Sequence, residues 1–355
     1  MIKSEIMFLR LVIALLLSLL VGSHVATAQI GGRSVYQFLN LPLSASSTAL
    51  GGKTIASDKP TLPMVFGNPS LLDSTMHNDI DVSYINYIAD LNYGSAIYAR
   101  KFRRVGTVAL GLQHLGYGKF ERINAMGGVE GTFRCHETCL SGMYSFSFDT
   151  ILRLGTTLKM VNSVLESYWS VGVVADFGVR YVSRSGSFTA SAVLRNLGLM
   201  LKTYTGSRER LPMELLVGIS QKLQHAPLRF MLTYQHVQTL SLRYKGQQQA
   251  TINLMGGEEQ QEGLMRRVGG ELLSHLILGV EATPMSALSI RVGYNHQRRN
   301  ELGITAKKSV VGFSAGVGVN IKKYTFSYSC AAYHLAGFSH HISVGTNFDR
   351  LFNKQ

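Results

Sequence analysis

Polar and apolar residues alternate along most of this chain of 355 residues. Alternation with a period of two is typical of β-strands, whose successive side chains point to opposite faces. In residues 311–321, for example, Phe313, Ala315 and Val317 share one face, and glycine, serine and asparagine occupy the other. A soluble β-sandwich also alternates, but it would bury its apolar face. Here the small and polar residues fit the enclosed side, so the large apolar residues are expected to face lipid.

Fourteen segments show this pattern. They lie approximately at residues 79–89, 92–102, 105–118, 131–148, 151–163, 170–182, 186–196, 212–222, 227–237, 275–283, 287–297, 309–321, 323–333 and 338–348. The connections between them are alternately short, as at 103–104, and long, as at 119–130 and 238–274. Short periplasmic turns and long outer loops are typical of bacterial outer-membrane barrels. The sequence therefore predicts an all-β fold, a transmembrane antiparallel β-barrel of about 14 strands in the outer membrane, with its long loops at the cell surface.

The segments outside the strands predict the remaining organisation. Residues 1–28 combine a basic start, an apolar run and Ala26-Thr27-Ala28, which is typical of a secretory signal peptide. Residues 29–78 do not have a strand pattern and are expected to form a compact plug in the barrel lumen, here called the hatch, with a short helix at 44–50. Residues 79–348 form the predicted barrel, and residues 349–355 a periplasmic C-terminal tail.

The chain is strongly basic, with a net charge of +14. The predicted leader contributes only +1, from Lys3 and Arg10 against Glu5, so the mature chain keeps +13. In an exported barrel this charge favours an anionic partner at the surface, such as lipopolysaccharide, and not a nucleic acid. The outer loops carry much of it, and their candidate contacts for a partner or a glycan are Arg208, Arg210, Arg243, Lys245, Arg266, Arg267, Arg298 and Arg299. The alternative interpretation is that these basic side chains are solvated at the loop surface and bind no ligand.

The longest outer loop, residues 238–274, is long enough to suggest a binding role. It contains a helix-compatible stretch at 264–273. The alternative is a disordered loop or one folded into the lumen.

Three cysteines are too few for a disulfide framework. Cys135 and Cys139 are a candidate disulfide, but four residues of straight strand would hold their Cα atoms about 13 Å apart, so a bridge needs a bend there. The run Cys135-His136-Glu137-Thr138-Cys139 also resembles a small metal cluster, although the other ligands of a closed site are not evident. We therefore predict no metal and no cofactor.

Several segments resemble PorQ-type proteins, outer-membrane components of the type IX secretion system of Bacteroidetes. The matching segments are 36–42 (YQFLNLP), 44–52 (SASSTALGG), 68–72 (NPSLL), 84–98 (YINYIADLNYGSAIY), 192–203 (AVLRNLGLMLKT), Leu211-Pro212 and 225–230 (HAPLRF). This family is similar to the FadL barrel superfamily, which implies fourteen strands with an N-terminal hatch in the lumen. Asn68-Pro69-Ser70 resembles the Asn-Pro-Ala turn of that hatch, with serine in place of alanine.

The resemblance implies a non-catalytic role. The barrel would anchor a surface partner of the PorZ type in the attachment complex that, with PorU-like and PorV-like components, joins secreted cargo to anionic lipopolysaccharide. The alternative is a FadL-like diffusion channel for small hydrophobic molecules. Charged side chains are expected in the lumen and disfavour apolar cargo. They could equally pair with each other and fill a narrow barrel as structural ion pairs. They are Arg100, Arg153, Lys159, Asp176, Arg180, Arg195, Arg229, Glu281 and Arg291.

An enzyme is the third hypothesis. His340 and His341, beside Ser339 and Ser343, form the most suggestive cluster. Neighbouring residues of a strand point to opposite faces, so both histidines cannot enter one lumenal site. No third residue suggests itself to orient a base, and we predict no enzymatic activity.

Overall fold

Fourteen strands, each antiparallel to both neighbours, close into a barrel because the last strand pairs with the first. The structure is a computed structural model that describes residues 34–87, 91–103, 105–239, 264–302, 310–334 and 337–352. The predicted signal peptide, residues 1–28, lies outside the described residues. The predicted all-β class and the count of fourteen strands are confirmed.

The strands follow one another around the barrel in chain order. They are β1 (Asp79–Asn86), β2 (Asn92–Phe102), β3 (Gly106–Ile123), β4 (Val129–Ser147), β5 (Leu152–Leu165), β6 (Tyr168–Val182), β7 (Phe188–Lys202), β8 (Glu214–Lys222), β9 (Leu228–Tyr234), β10 (Leu276–Met285), β11 (Leu288–Asn295), β12 (Phe313–Ile321), β13 (Tyr324–His334) and β14 (Gly337–Asn347). Turns that join β2 to β3, β4 to β5 and the other even-to-odd pairs are short. In outer-membrane barrels the end with the short turns faces the periplasm, and we call this end the periplasmic one on that basis.

Two strand boundaries depart from the prediction in an informative way. β3 and β4 continue through most of the expected loop 119–130, because Phe120 and Phe133 lie opposite each other and stack at 5.4 Å. β7 extends to Lys202 beyond a bulge at Asn196, whose φ of 56° breaks the register with β6. The wall is therefore taller than expected on this side of the barrel.

The two faces of the wall match the predicted alternation. Outward side chains are large and apolar, as at Leu110, Leu158 and Phe230, whereas inward positions are polar, as at Ser141 and Thr157. Exposed aromatic residues lie near both ends of the wall, including Phe102, Tyr181 and Tyr324 on the periplasmic side and Tyr84 and Trp169 on the outer side. Such girdles are typical of outer-membrane barrels. The expectation that Arg100 points inward is wrong: the inward residues of β2 are Tyr93, Ser95, Ile97 and Ala99, and Arg100 is exposed on the other face.

The hatch begins the described chain and lies inside the lumen. It contains helix α1 (Ala45–Ala49) and four short 3₁₀ helices, Gln37–Asn40, Leu62–Phe66, Pro69–Leu71 and Ser74–Met76. Ser44 caps α1 through a hydrogen bond that its hydroxyl accepts from the Ser47 N–H, which explains why the predicted helix at 44–50 starts there. Two of the 3₁₀ helices have a proline in their first two positions, where its fixed φ favours the start of a helix.

Three further helices lie at the ends of the barrel. α2 (Leu264–Ser274) precedes β10 and coincides with the predicted helical stretch, and α3 (His296–Leu302) follows β11. α4 (Phe348–Phe352) follows β14 at the periplasmic end, so Phe348 begins a helix and does not end the last strand as predicted. Among the described residues, no helix is long and apolar enough to cross a membrane.

Candidate functional site

The lumen is occupied by the hatch, and this interface is the candidate functional site. Its apolar part joins Phe38, Phe66 and Leu71 of the hatch to inward side chains of the wall. Tyr93 of β2 packs edge-on against Phe38 and donates a hydrogen bond to its carbonyl oxygen at 3.2 Å. The hydroxyl of Tyr36 donates to Ser170 of β6 at 2.8 Å, and burial raises the pKa of Tyr36 to about 12. The hatch is therefore packed as tightly as a protein core on this side.

Inward glycines shape the wall to the hatch. A Cβ added at Gly155 of β5 would lie 2.3 Å from the backbone of Pro69 and Ser70, and one at Gly178 of β6 would lie 2.2 Å from the Asn68 side chain. On the opposite wall, a Cβ at Gly293 of β11 would lie 2.1 Å from the Gly51 nitrogen. Only glycine admits these close approaches. The barrel interior is thus complementary to one particular position of the hatch.

The turn Asn68-Pro69-Ser70 lies in this glycine cleft and is fully buried. Asn68 Oδ1 accepts hydrogen bonds from the Ser70 N–H at 3.0 Å and from the Ser70 hydroxyl at 2.7 Å, while its amide donates to the Ile55 carbonyl at 2.9 Å. Serine therefore adds a bond within the turn that alanine could not make.

Asp73 fastens the end of the hatch to β5 and β6. Its carboxylate pairs with Arg153, and with Arg180 at 3.4 Å. Arg180 also donates to the Ser57 carbonyl at 3.1 Å. Burial alone would raise the pKa of Asp73, but the hydrogen bond and charge of Arg153, with help from Arg180, hold that pKa below its usual range. Asp73 is therefore ionised at neutral pH.

A second charged contact is centred on Glu214 of β8, which is fully buried. Its carboxylate accepts from Lys53 of the hatch at 2.5 Å and lies 3.9 Å from Arg195 and 3.3 Å from His236. Arg195 donates in turn to the Leu39 carbonyl at 2.6 Å. Burial and the charge of Lys53 lower the pKa of His236 to about 4 despite the nearby carboxylate, so this imidazole is neutral at pH 7.

The helix α1 is bonded to the wall opposite β5 and β6. The His341 Nδ1 of β14 lies 3.1 Å from the Thr48 hydroxyl, and the Ser314 hydroxyl of β12 donates to the Ala49 carbonyl at 3.1 Å. Ser339 Oγ lies 3.1 Å from His341 Nε2. Both residues are fully buried. The suggestive serine and histidine of β14 thus serve to hold the hatch.

Below α1 the lumen opens into a chamber of about 640 Å³ on the periplasmic side. It is lined by charged residues, among them Arg229 and Arg291. Arg229 pairs with Asp58 of the hatch at 2.5 Å, and Arg291 with Glu281 at 2.8 Å. The space enclosed between the hatch and the wall near Arg195 is only about 30 Å³, room for about one water molecule. The described lumen therefore has a chamber with a mixed charged and apolar lining on one side, and little space between hatch and wall near Arg195.

The predicted surface contacts fall into three groups. Arg208 and Arg210 are exposed in the loop after β7, and the Arg210 carbonyl accepts from the Val35 N–H of the hatch at 3.0 Å. Arg243 and Lys245 lie outside the described residues, and Arg266 and Arg267 lie on α2. Arg299 is exposed on α3, but Arg298 is half-buried over the Tyr333 ring at 4.1 Å and reaches the hatch at Gly52. Arg298 is thus a lumenal residue and not part of the rim.

The candidate disulfide is not formed. Cys135 and Cys139 are both free, because β4 runs without a bend through them and pairs continuously with β5 from Cys135 to Ser147. Within the described residues, no group of three or more histidine, cysteine, aspartate or glutamate side chains could hold a metal ion.

The sequence matches no known protein-family model and no curated protein. Solved structures do match. The toluene transporter TbuX of Ralstonia pickettii is 14% identical over 88% of this chain and 100% of its own, with a TM-score of 0.51. This chain shares its fold. The toluene transporter TodX of Pseudomonas putida (11% identity, 86% and 96% covered, TM-score 0.49) and a Pseudomonas aeruginosa FadL homologue (11%, 90% and 100%, 0.46) are similar more distantly. Identities this low establish the fold alone.

Sequence reasoning missed the partners of the lumenal charges and the hatch-facing glycines. The charges were visible as polar residues on the inward face. Their partners were not, because Asp58 and Asp73 lie in a segment without periodicity. The glycines gave a usable signal, since Gly155 and Gly178 interrupt inward positions of two neighbouring strands.

Proposed function

We propose that this chain is a sealed outer-membrane barrel that anchors a surface protein, and that it does so as a PorQ-type component of a type IX secretion system. The observation that carries the anchor is the fixed hatch. Ion pairs from Lys53, Asp58 and Asp73 reach β8, β9, β5 and β6, and glycine clefts receive the hatch on two walls. A lumen sealed this way suits a scaffold whose work is done by its outer surface.

The secretion-system part of the proposal is supported by sequence resemblance alone. The resembling segments include YQFLNLP and NPSLL, both of which belong to the hatch. The partner would be a surface protein of the PorZ type and, through it, PorU-like and PorV-like components that attach cargo to anionic lipopolysaccharide. The exposed Arg208, Arg210 and Arg299 offer a basic outer surface for such neighbours.

Purification of the tagged chain from outer membranes in mild detergent, followed by mass spectrometry, tests this proposal. We expect stoichiometric recovery of a large surface protein, and loss of that protein after a high-salt wash if basic loops hold it. A matched barrel of the same host, tagged in the same way, is the control. Recovery of a lone barrel with no partner would refute the anchor.

A second candidate is a diffusion channel for small hydrophobic molecules. The shared fold favours it, since TbuX is by its name a toluene transporter, and the comparison with solved structures supports this candidate better than the anchor. The described cavities favour it less. An apolar cavity of about 150 Å³ is enough to bind benzene, whereas the large chamber here mixes charged residues such as Arg229 and Arg291 with apolar ones such as Leu62 and Ile80. A bound apolar ligand in the purified barrel, or faster toluene uptake by cells that express it, would decide for the channel.

A further inference from the structure

One hairpin of the wall rises well above its neighbours. The last pair between β2 and β3 is Asn92 with Gly116, and the last pair between β4 and β5 is Cys135 with Leu165. Beyond these points β3 and β4 pair only with each other. We call residues 117–134 the arm. Seven residues of β3, from 117 to 123, project about 20 Å at the usual rise of a strand.

The arm has a defined structure of its own. Phe120 and Phe133 stack across it at 5.4 Å, and at its tip the Asn124 side chain accepts from the backbone N–H of Met126 at 3.0 Å and of Gly128 at 2.8 Å. Such bonds fix a turn without outside help. The arm therefore presents a preformed surface.

That surface is unusually apolar for a segment above the membrane. Met126 is 97% exposed, Ile123 63% and Val129 59%, and Phe120 is also exposed. Phe120 and Ile123 are three residues apart on β3, so both faces of the arm expose apolar side chains. Exposed apolar surface of this kind is typical of a protein-binding site.

The two edges of the arm are not equivalent. Beside β4 stands the turn between β5 and β6, and Arg122 reaches over Gly131 to Glu166 of that turn at 2.8 Å. Beside β3, no described residue pairs with the edge above Gly116. The arm contains no proline, the residue that commonly blocks such edges. Within the described residues, the N–H and C=O groups that β3 turns away from β4 above Gly116 have no strand partner, and an added strand would satisfy them.

Charge indicates what that strand carries. Lys119 and Arg134 lie directly opposite each other in the ladder, and among the described residues no carboxylate lies within 4 Å of either, although Glu121 follows Lys119 on the same face of β3. Like charges opposite each other destabilise a ladder. A carboxylate from a bound segment would relieve this repulsion.

We propose that the edge of β3 at residues 117–123 is the docking site for an extended, apolar strand with acidic flanks, contributed by the surface partner protein. The incoming strand continues the barrel wall directly above β2, and its apolar side chains cover Phe120 and Ile123. Main-chain bonds give such additions their affinity, and side-chain pockets give them specificity. The proposal rests on the anchor function, and it moves the docking site from the loop 238–274 to the arm.

A defined probe tests the edge without the partner. The probe is a synthetic peptide of alternating valine and threonine flanked by glutamates, added to the full barrel in detergent. We expect saturable binding and slowed amide exchange in residues 117–123, with little change in 129–134. A variant with residues 118–134 replaced by Asn-Gly should bind at least tenfold more weakly, and so should Lys119→Glu. Equal binding to the shortened arm, or no binding to the wild type, would overturn the proposal.

Two controls separate this inference from the anchor function. Glu130→Lys changes a charge on the other strand of the arm and should leave peptide binding unchanged. A gain of binding in Glu130→Lys as large as the loss in Lys119→Glu would point to general electrostatics and overturn an edge-specific site. Partner recovery is measured in parallel: a shortened arm that still recovers the partner refutes the docking site alone, whereas a wild-type barrel that recovers none refutes the anchor.

Discussion

The two sides of the lumen are built differently. Along β2 to β7 the hatch packs against the wall down to Arg153 and Arg180, near the periplasmic ends of β5 and β6. Along β8 to β14, α1 bonds to the outer half of the wall and Asp58 reaches Arg229 at the periplasmic start of β9, and the chamber of about 640 Å³ lies on this side. Solutes from the periplasm can thus enter half of the barrel but meet a plug bonded to the wall. The contrast shows that the seal depends on one well-packed side and a few charged contacts on the other.

The largest effect is expected from Glu214→Gln. This change leaves Lys53 and Arg195 buried without their carboxylate, and breaking a buried pair in this way costs about 3–5 kcal/mol. The hatch should then exchange its amide hydrogens faster over residues 34–78. The matched control is Glu281→Gln, which removes the partner of Arg291 beside the open chamber and should change hatch exchange little. Equal effects of the two variants would show that the two sides do not differ.

Steric displacement of the hatch comes next. Gly155→Val places a side chain against the backbone of Pro69 and Ser70, and overpacking of this kind costs about 1–3 kcal/mol. We expect new sites of protease cleavage in the hatch and ion conductance across planar bilayers. Gly142→Val on β4 adds the same side chain where no atom lies within 4 Å, and it should remain closed. A closed Gly155→Val barrel would mean that the wall yields and the hatch does not.

Acid should loosen the hatch more gradually. The folded-state pKa of His236, about 4, lies below its ordinary value of about 6.5, so protonation favours the released state as the pH falls from about 6.5 to 4. The pKa of Asp73 is also lowered, so the stability it contributes is present above its ordinary pKa and is lost as the pH falls through the folded value. Hatch exchange should therefore rise from pH 7 to pH 4. In His236→Gln, the increase in hatch amide exchange between pH 7 and pH 4.5 should be smaller than in the wild type. An unchanged pH profile would show that His236 does not cause the increase.

Thiol labelling changes the protein least. It compares directly how accessible the packed side and the chamber side of the lumen are to water. Cys139 is buried on the packed side, whereas Ser327 lines the chamber. In a background with Cys135 and Cys330 replaced by serine, a water-soluble maleimide should label Ser327→Cys quickly and Cys139 slowly. Similar labelling rates at the two positions would show that the packed side is also open to water.

The fold was predictable because alternation is a strong signal when it recurs fourteen times with short and long connections in turn. The alternation correctly places Arg153, Lys159 and Asp176 on the inward face of the wall. Lys159 and Asp176 form an ion pair there, at 2.6 Å. Arg100 failed the same reasoning, since it lies one residue out of phase with the inward face of its strand.

The candidate site was less predictable. Its bonds join the hatch to strands far away in the chain, such as Lys53 to Glu214, and no local pattern encodes such pairs. Arg298 looked like a rim residue because it follows a strand, yet its guanidinium lies over the ring of the half-buried Tyr333. Most of the arm was missed because residues 119–130 were predicted to form a loop, whereas cross-strand aromatic stacking keeps the arm extended.

The position of the hatch in the chain has a consequence for biogenesis. It runs directly into β1, the strand that completes the circle with β14, and the Phe348 N–H donates to the Asn78 carbonyl at this junction at 2.9 Å. Because strands around the whole circle bond to the hatch, we expect it to enter the lumen before the seam between β1 and β14 closes. A hatch that fails to fold should then impair barrel assembly, whereas a folded but displaced hatch, as in Gly155→Val, should alter permeability.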